Sequence, residues 1–416
     1  CIRDSDQALA GTPGRLVSEQ GLNGRSIPEG ERESLPAVDG ADVRLTIDRA
    51  LQFEVERALR ERVAASGGKG GTVIISDPTT GEVLAMTSVA ATDEGDVVTT
   101  SDNRSLTWTY EPASVMKAVT FAAVLDQGVA RPSSARNVHD TIELYEETFT
   151  DDILYGSKIM SVTDILVQSS NTGTISWAQD LGQETFYDYL LDFGFGSSTG
   201  LDFPGESPGI LEDVESWPGT HIATIAIGQS IAVTPMQMLA AYNTIANDGV
   251  YVPPTLVSNV GTEGETDGAD AEPVDALGAR RVIQSKTAND VSAMLARVAA
   301  GGTATRAQVP GYSIAAKTGT ARKVQESGGY RDAAGNFHYI ATVAGFFPAE
   351  DPQLSMIVII DEPSTEIYAS RVAAPLFGEL AAWALRHYRV SPGGDVVFSE
   401  GSDLAAIGAD ATGGAD

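Results

Sequence analysis

The sequence predicts a mixed α/β (α+β) fold built around one large domain. Three observations carry that expectation: a pair of strand-like runs between residues 72 and 88, a long middle stretch dominated by helical signals, and three more strand-like runs between residues 312 and 360. With 416 residues, 42% of them hydrophobic, the chain is long enough for such a domain plus a smaller module. Lysine and arginine number 27 against 57 acids, and the formal net charge of −30 argues against nucleic acid as a partner. The only cysteine is Cys1, so no internal disulfide can form; at this position it reads as a truncation boundary or, alternatively, as a lipidated residue. No run of about 18 apolar residues occurs, so any membrane anchor is expected upstream of residue 1. His139, His221, His338 and His387 lack metal-ligand spacing, and no motif calls for a cofactor.

Residues 1–45 are rich in glycine, proline and charge, with Gly11-Thr12-Pro13-Gly14 as a turn signal, and read as a non-catalytic arm. Asp48 is placed to cap a helix through about Ala65, whose apolar stripe is Leu51, Val55, Ala58, Leu59 and Val63. Thr72–Ser76 and Glu82–Ser88 form a hairpin around Asp77-Pro78-Thr79-Thr80-Gly81. Pro112 suits the first turn of a helix, and the apolar run Ala118–Leu125 gives that helix a buried body ending near Gly128. A polar, acidic stretch follows up to Ser161. From Val162 a second helical segment carries Ser169-Ser170-Asn171 and runs on through Thr172–Leu181. Gly194–Gly209 is a turn-rich connector, and Ala223–Ala246 a buried segment followed by a helix that starts at Thr234-Pro235. Gly261–Asp275, with six acids and few apolar residues, reads as a solvent loop. Ser285–Ala299 is helical, Tyr312–Thr320, Ile340–Phe347 and Leu354–Ile360 are strands, and Val372–His387 closes the domain as a helix. The tail from Ser391 has the glycine-rich, acidic composition of a disordered segment.

Chemistry enters at Ser114. At the N-terminus of a buried helix, its hydroxyl meets positive potential and free backbone N–H groups, and Lys117 falls one turn later on the same face. Desolvation by the following apolar turns should lower the Lys117 pKa and yield a neutral amine able to take the serine proton. Ser-x-x-Lys alone is weak: Ser66-Gly67-Gly68-Lys69 matches it inside a glycine-rich turn with no helix to align the pair. Context separates the two, as does the scarcity of lysine, since two of only six lysines fall in catalytic-looking motifs. Ser169 and Asn171 place a hydroxyl and an amide where they can point into one cleft, the first passing protons and the second orienting a substrate. Ser101-Asp102-Asn103 repeats that pattern but precedes the nucleophile and is set aside. Lys317-Thr318-Gly319 with Thr320 ends a strand. At a sheet edge, a cation and two hydroxyls can bind an extended peptide, the cation gripping its C-terminal carboxylate and Gly319 letting it lie close to the backbone.

Ser114-x-x-Lys117, Ser169-x-Asn171 and Lys317-Thr318-Gly319, in that order and 55 and 148 residues apart, resemble the triple signature of the penicillin-recognising serine transferases and hydrolases. The wording around Tyr110–Ser114, Ala226–Gln229, Thr234–Gln237, Ala246–Val250, Lys317–Arg322, Gly345–Pro348 and Asp361–Pro363 is most similar to class B penicillin-binding proteins of the cell-division type. The resemblance covers about residues 40–390. It implies a transpeptidase domain over residues 46–390 with a five-stranded, mostly antiparallel sheet between helices and a helical subdomain. Residues 1–45 become the remnant of a pedestal, and 391–416 a tail. It further implies Ser114 as acyl-ester nucleophile, Lys117 as its base, Ser169 as relay to the leaving D-alanine, and Asn171 as holder of the acyl-side amide. Lys317, Thr318 and Thr320 would bind the terminal carboxylate, and the Ser114 and Thr320 backbone N–H groups would form the oxyanion hole. The implied partners are D-Ala-D-Ala stem peptides, β-lactams as covalent inhibitors, a SEDS-family glycosyltransferase and other division proteins. The implied place is the outer face of the bacterial membrane, anchored by a helix ahead of residue 1. Ala113 and Ser230 stand where the family has, or often has, glycine; both changes are expected to leave the chemistry intact. Two other readings remain: a D,D-carboxypeptidase or β-lactamase, against which stands the lack of a Glu-x-x-x-Asn loop after Asn171, and a non-enzymatic β-lactam sensor or scaffold.

Overall fold

The computed structural model describes residues 9–393 apart from 26, 28–29, 146, 202, 262–277 and 326–327. The expected acidic solvent loop (except Gly261) and most of the expected tail lie outside the described residues. Helix α1 (Arg49–Ser66) has the cap its sequence announces: Asp48 accepts from Ala50 N at 2.8 Å and Leu51 N at 3.0 Å, satisfying amides that the first turn leaves unpaired. Its stripe Leu51, Val55, Leu59 and Val63 is fully buried, worth about 2 kcal/mol per side chain. Strands β1 (Gly70–Ser76), β2 (Val83–Ala91) and the short β3 (Val97–Thr99) follow.

The helical half contains α2 (Lys117–Asp126), α3 (Val162–Gln168), α4 (Asn171–Leu181), α5 (Pro235–Ala246) and α6 (Ser285–Gly301). Strands β4 (Ala315–Arg322), β5 (Tyr339–Phe347) and β6 (Leu354–Asp361) and helix α7 (Ala369–His387) complete the domain. The sheet order is β4-β5-β6-β1-β2-β3 and every neighbouring pair is antiparallel. It has one strand more than expected, because β3 pairs through only three residues and is too short to announce itself. All eight residues of β6 are buried, as befits a central strand, whereas β4 lies at the edge. Helices α1 and α7 cover one face of the sheet and α5 packs on the other.

Two findings depart from the linear reading. The acidic stretch before Ser161 is not featureless: Ala135–His139 pairs with Ser157–Ser161, and Thr141–Leu144 with Glu147–Thr150, in mostly exposed ribbons that lack a sustained apolar alternation. The helical segment beginning at Val162 is broken at Ser169, whose φ of +60° ends α3, and Ser170 then caps α4 by accepting from Gly173 N at 3.0 Å. An ion cluster closes the far end of the sheet. Buried Asp361 accepts from Lys323 Nζ at 2.8 and 3.0 Å and from Arg104 at 3.4 Å, while Glu362 pairs with Lys69 at 2.8 Å. Lys69 of the discounted Ser66 motif is thus a surface ion-pair partner, and Ser66 Oγ donates to Val63 O. No helix among the described residues is long and apolar enough to cross a membrane.

Candidate active site

The turn before Ser114 is held by backbone on both sides. Tyr110 and Val233 exchange N–H···O bonds at 3.0 Å each, and Ala113 N–H donates to Gly228 O at 2.9 Å. Gly228 is required here: at φ +81° its Cα lies so close beneath Ala113 that a Cβ would stand 2.1 Å from the Ala113 carbonyl oxygen. Ala113 itself has φ +51° and Ser230 φ +57°, so both positions where the family favours glycine hold L-residues in the left-handed region, at about 1 kcal/mol each. Residues Ala113–Met116 form a 3-10 turn that passes into α2 at Lys117. In that geometry side chains three apart eclipse, which puts Ser114 and Lys117 on one face of the turn. Buried Tyr242 donates to Val115 O at 3.0 Å and Thr120 Oγ1 to Ala226 O at 2.8 Å, tying the turn and helix to their neighbours. Ser114 is half-buried and Lys117 fully buried.

Three segments far apart in the chain converge beside that turn. Lys117 Nζ donates to Ser169 O at 2.6 Å, Asn171 Oδ1 at 2.7 Å and Ser169 Oγ at 3.3 Å. Lys317 Nζ, also fully buried, donates to Ser169 Oγ at 2.9 Å and Thr318 O at 3.1 Å. The Ser169 hydroxyl therefore sits between two amines. Burial brings the Lys117 pKa down to about 8, against the opposing pull of Asp151 and Asp152. Burial, and then the charge of Lys117, hold Lys317 well below the ordinary lysine range. A charge on one amine disfavours a charge on the other, an arrangement that can hold one amine protonated and one neutral around a single hydroxyl.

Two sequence expectations need correcting. Lys317 is not an open grip at a groove edge; the edge strand turns its ammonium inward onto Ser169. Gly319 faces the Ser114 turn: a Cβ there would lie 2.8 Å from Pro112 O and 3.2 Å from Val115 N, so its small size serves the close approach of β4 to that turn. Strand alternation sends Thr318 and Thr320 to the opposite side. There Thr318 Oγ1 donates to Thr303 Oγ1 at 2.6 Å, and Thr320 Oγ1 accepts from Ala369 N at 3.0 Å.

The residues that sequence reasoning missed are those that hold the motif residues. Buried Asp151 accepts Asn171 N at 2.6 Å and Thr172 N at 3.0 Å on Oδ1, and Ser170 Oγ at 2.7 Å and Tyr155 OH at 2.8 Å on Oδ2. Thr150 O receives Asn171 Nδ2 at 2.9 Å. In the sequence Asp151 is one acid among many, with no pattern to mark it. On the other side of Ser114, the Glu111 carboxylate accepts from Ser230 N and Tyr330 OH, both at 2.9 Å, and burial pushes its pKa upward. Among the described residues no cluster of three or more His, Cys, Asp or Glu could hold a metal ion.

Residues 71–382 match the penicillin binding protein transpeptidase domain. The chain is 36% identical over 406 residues to penicillin-binding protein PbpB of Mycolicibacterium smegmatis, a match covering 94% of this chain and 61% of that protein. It is 30% identical over 397 residues to peptidoglycan D,D-transpeptidase FtsI of Escherichia coli, covering 93% and 63% respectively. The structure of penicillin binding protein 3 from Mycobacterium tuberculosis complexed with aztreonam superposes with a TM-score of 0.77 at 30% identity, over 93% of this chain and 90% of that one. The chain spans about three fifths of the length of the curated relatives it matches.

Proposed function

Because the chain belongs to the penicillin-binding-protein transpeptidase family, we propose that it is a class B serine D,D-transpeptidase that crosslinks peptidoglycan stem peptides, in the septal wall. The observation that carries this reading is the Ser169 hydroxyl held between the amines of Lys117 and Lys317 beside the Ser114 turn. Ser114 Oγ attacks the carbonyl of the penultimate D-alanine as Lys117, neutral above about pH 8, takes its proton. The Ser114 and Thr320 N–H groups receive the oxyanion. The proton passes through Ser169 to the departing D-alanine amine, and an amine from a neighbouring stem then takes the acyl group from Ser114, reversing the same steps. Asn171 orients the acyl-side amide.

The substrate's terminal carboxylate is bound at the β4 edge by the Thr318 and Thr320 hydroxyls, and buried Lys317 supplies charge to it from behind Ser169 without gripping it directly. A carboxylate at this place stabilises charge on Lys317, and repulsion between the two amines then favours loss of the proton from Lys117. Substrate of the right charge thereby readies its own base. The same reading makes residues 46–390 the catalytic unit and 1–45 part of a pedestal. It places the enzyme on the outer face of the cell membrane through a helix ahead of residue 1, with a SEDS-family glycosyltransferase and other division proteins as partners. A β-lactam would acylate Ser114 and stay. The aztreonam complex of the related Mycobacterium tuberculosis protein supports that expectation.

The test is intact-mass spectrometry after incubation with a penicillin, followed for hours beside Ser114→Ala. A stable adduct of one drug per protein, absent from Ser114→Ala, is expected. Rapid loss of adduct with drug hydrolysis would make the protein a hydrolase, and no adduct on folded protein would leave a scaffold.

A further inference from the structure

Asp151 occupies a place that none of the three motifs explains. Ser169 holds a left-handed φ of +60°, a conformation an L-residue keeps only when its surroundings impose it. The imposing contacts lie just downstream: one buried carboxylate receives the next two free amides, Asn171 N and Thr172 N, on one oxygen and the Ser170 hydroxyl on the other. The two shortest bonds of Lys117 go to Ser169 O and Asn171 Oδ1, both parts of the turn that Asp151 clamps. Neighbouring Thr150 O holds the other end of the same Asn171 amide, so its flip state is set as well. Tyr155 OH closes the shell around the carboxylate.

Resting on the transpeptidase reading, we propose that Asp151 is a positioning residue for the reaction: it holds the Ser169–Asn171 turn in the strained form that receives Lys117. The charged groups facing Lys117 are Asp151 and Asp152 from the loop beside α4 and Lys317 from β4. Asp151 and Asp152 raise the Lys117 pKa, opposing the dominant effect of burial. Removing the Asp151 charge therefore lowers it further, which moves the acid limb of acylation to lower pH. Removing the acceptor oxygens instead frees the turn, which lowers the plateau of that profile.

The two effects separate in two variants. Asp151→Asn keeps an acceptor oxygen for both amides and loses the charge. Asp151→Leu loses both. The second-order rate of acylation by a fluorescent penicillin is measured from pH 5.5 to 9.5, per active site titrated by the drug, with a thermal melt of each protein. Asp151→Asn is expected to shift the acid limb downward by about half a pH unit or more, with the plateau within about tenfold of wild type. Asp151→Leu is expected to lose about 100-fold or more at the plateau, with a Lys117-dependent limb displaced in the same direction. A role confined to stability would reduce the number of titratable sites and leave both limb and plateau of the remaining sites unmoved. An unshifted limb in Asp151→Asn, with the wild-type plateau in Asp151→Leu, overturns the proposal. If Asp151→Leu does not fold, the Asp151→Asn limb alone decides. Failure of the wild type to acylate would instead overturn the transpeptidase reading.

Discussion

Gly228→Ala should disable the protein from a position outside the three motifs. A methyl group at this Cα would stand 2.1 Å from Ala113 O, 2.6 Å from Ala113 N and 2.7 Å from Ala113 C, all backbone atoms with no rotamer to escape through. Reaching ordinary contact requires the 3-10 turn that begins at Ala113 to retreat by roughly 1 Å, and Ser114 is the next residue. The left-handed φ of +81° adds about 1–2 kcal/mol for an L-residue, and overpacking a tight contact adds about 1–3 kcal/mol. The expected destabilisation is therefore about 2–5 kcal/mol. In the molecules that stay folded, a 1 Å misplacement of the nucleophile costs on the order of 100-fold in rate. Stopped-flow acylation by a fluorescent penicillin, normalised to titratable sites, reads the second quantity, and a urea melt reads the first. Acylation within threefold of wild type together with an unchanged melt would refute the claim that this glycine supports the Ser114 turn.

Two further perturbations follow from the buried charges. Lys117→Met should abolish acylation while melting at or above the wild type at pH 7. The wild type carries a penalty of about 3 kcal/mol for a lysine whose pKa falls from 10.5 to about 8 on folding. Between those two values the unfolded chain binds the proton that the folded one has released, so wild-type stability should climb as pH rises from about 8 to 10.5. Part of that slope should vanish in Lys117→Met, which denaturant titrations at pH 7, 8.5 and 10 would show. Asp361→Ala leaves Lys323 with Glu362 alone and Arg104 with Asp102 alone, so a loss of about 3 kcal/mol is expected by urea denaturation, with acylation per titrated site unchanged.

What could be read ahead of the structure follows how local each signal is. The Asp48 cap, the Thr234-Pro235 helix start and the largely apolar strands β5 and β6 declare themselves within a few residues, and the structure places them where the sequence does. The order of the three motifs was legible for the same reason, since each is a short spelling. Their convergence on the Ser169 hydroxyl was not, because a strand edge, a broken helix and a 3-10 turn meet only through the tertiary fold. Ala113 and Ser230 mark the boundary most sharply. As letters they are small changes from glycine, yet both hold positive φ, a cost visible only in the backbone. Asp151 lies wholly beyond that boundary, for its carboxylate serves residues 19–21 positions downstream from within a polar, acidic stretch that carries no motif. The residues that perform a reaction are spelled by motifs because their chemistry has few substitutes. Those that aim them are chosen by whatever the fold leaves within reach, and so carry no spelling of their own.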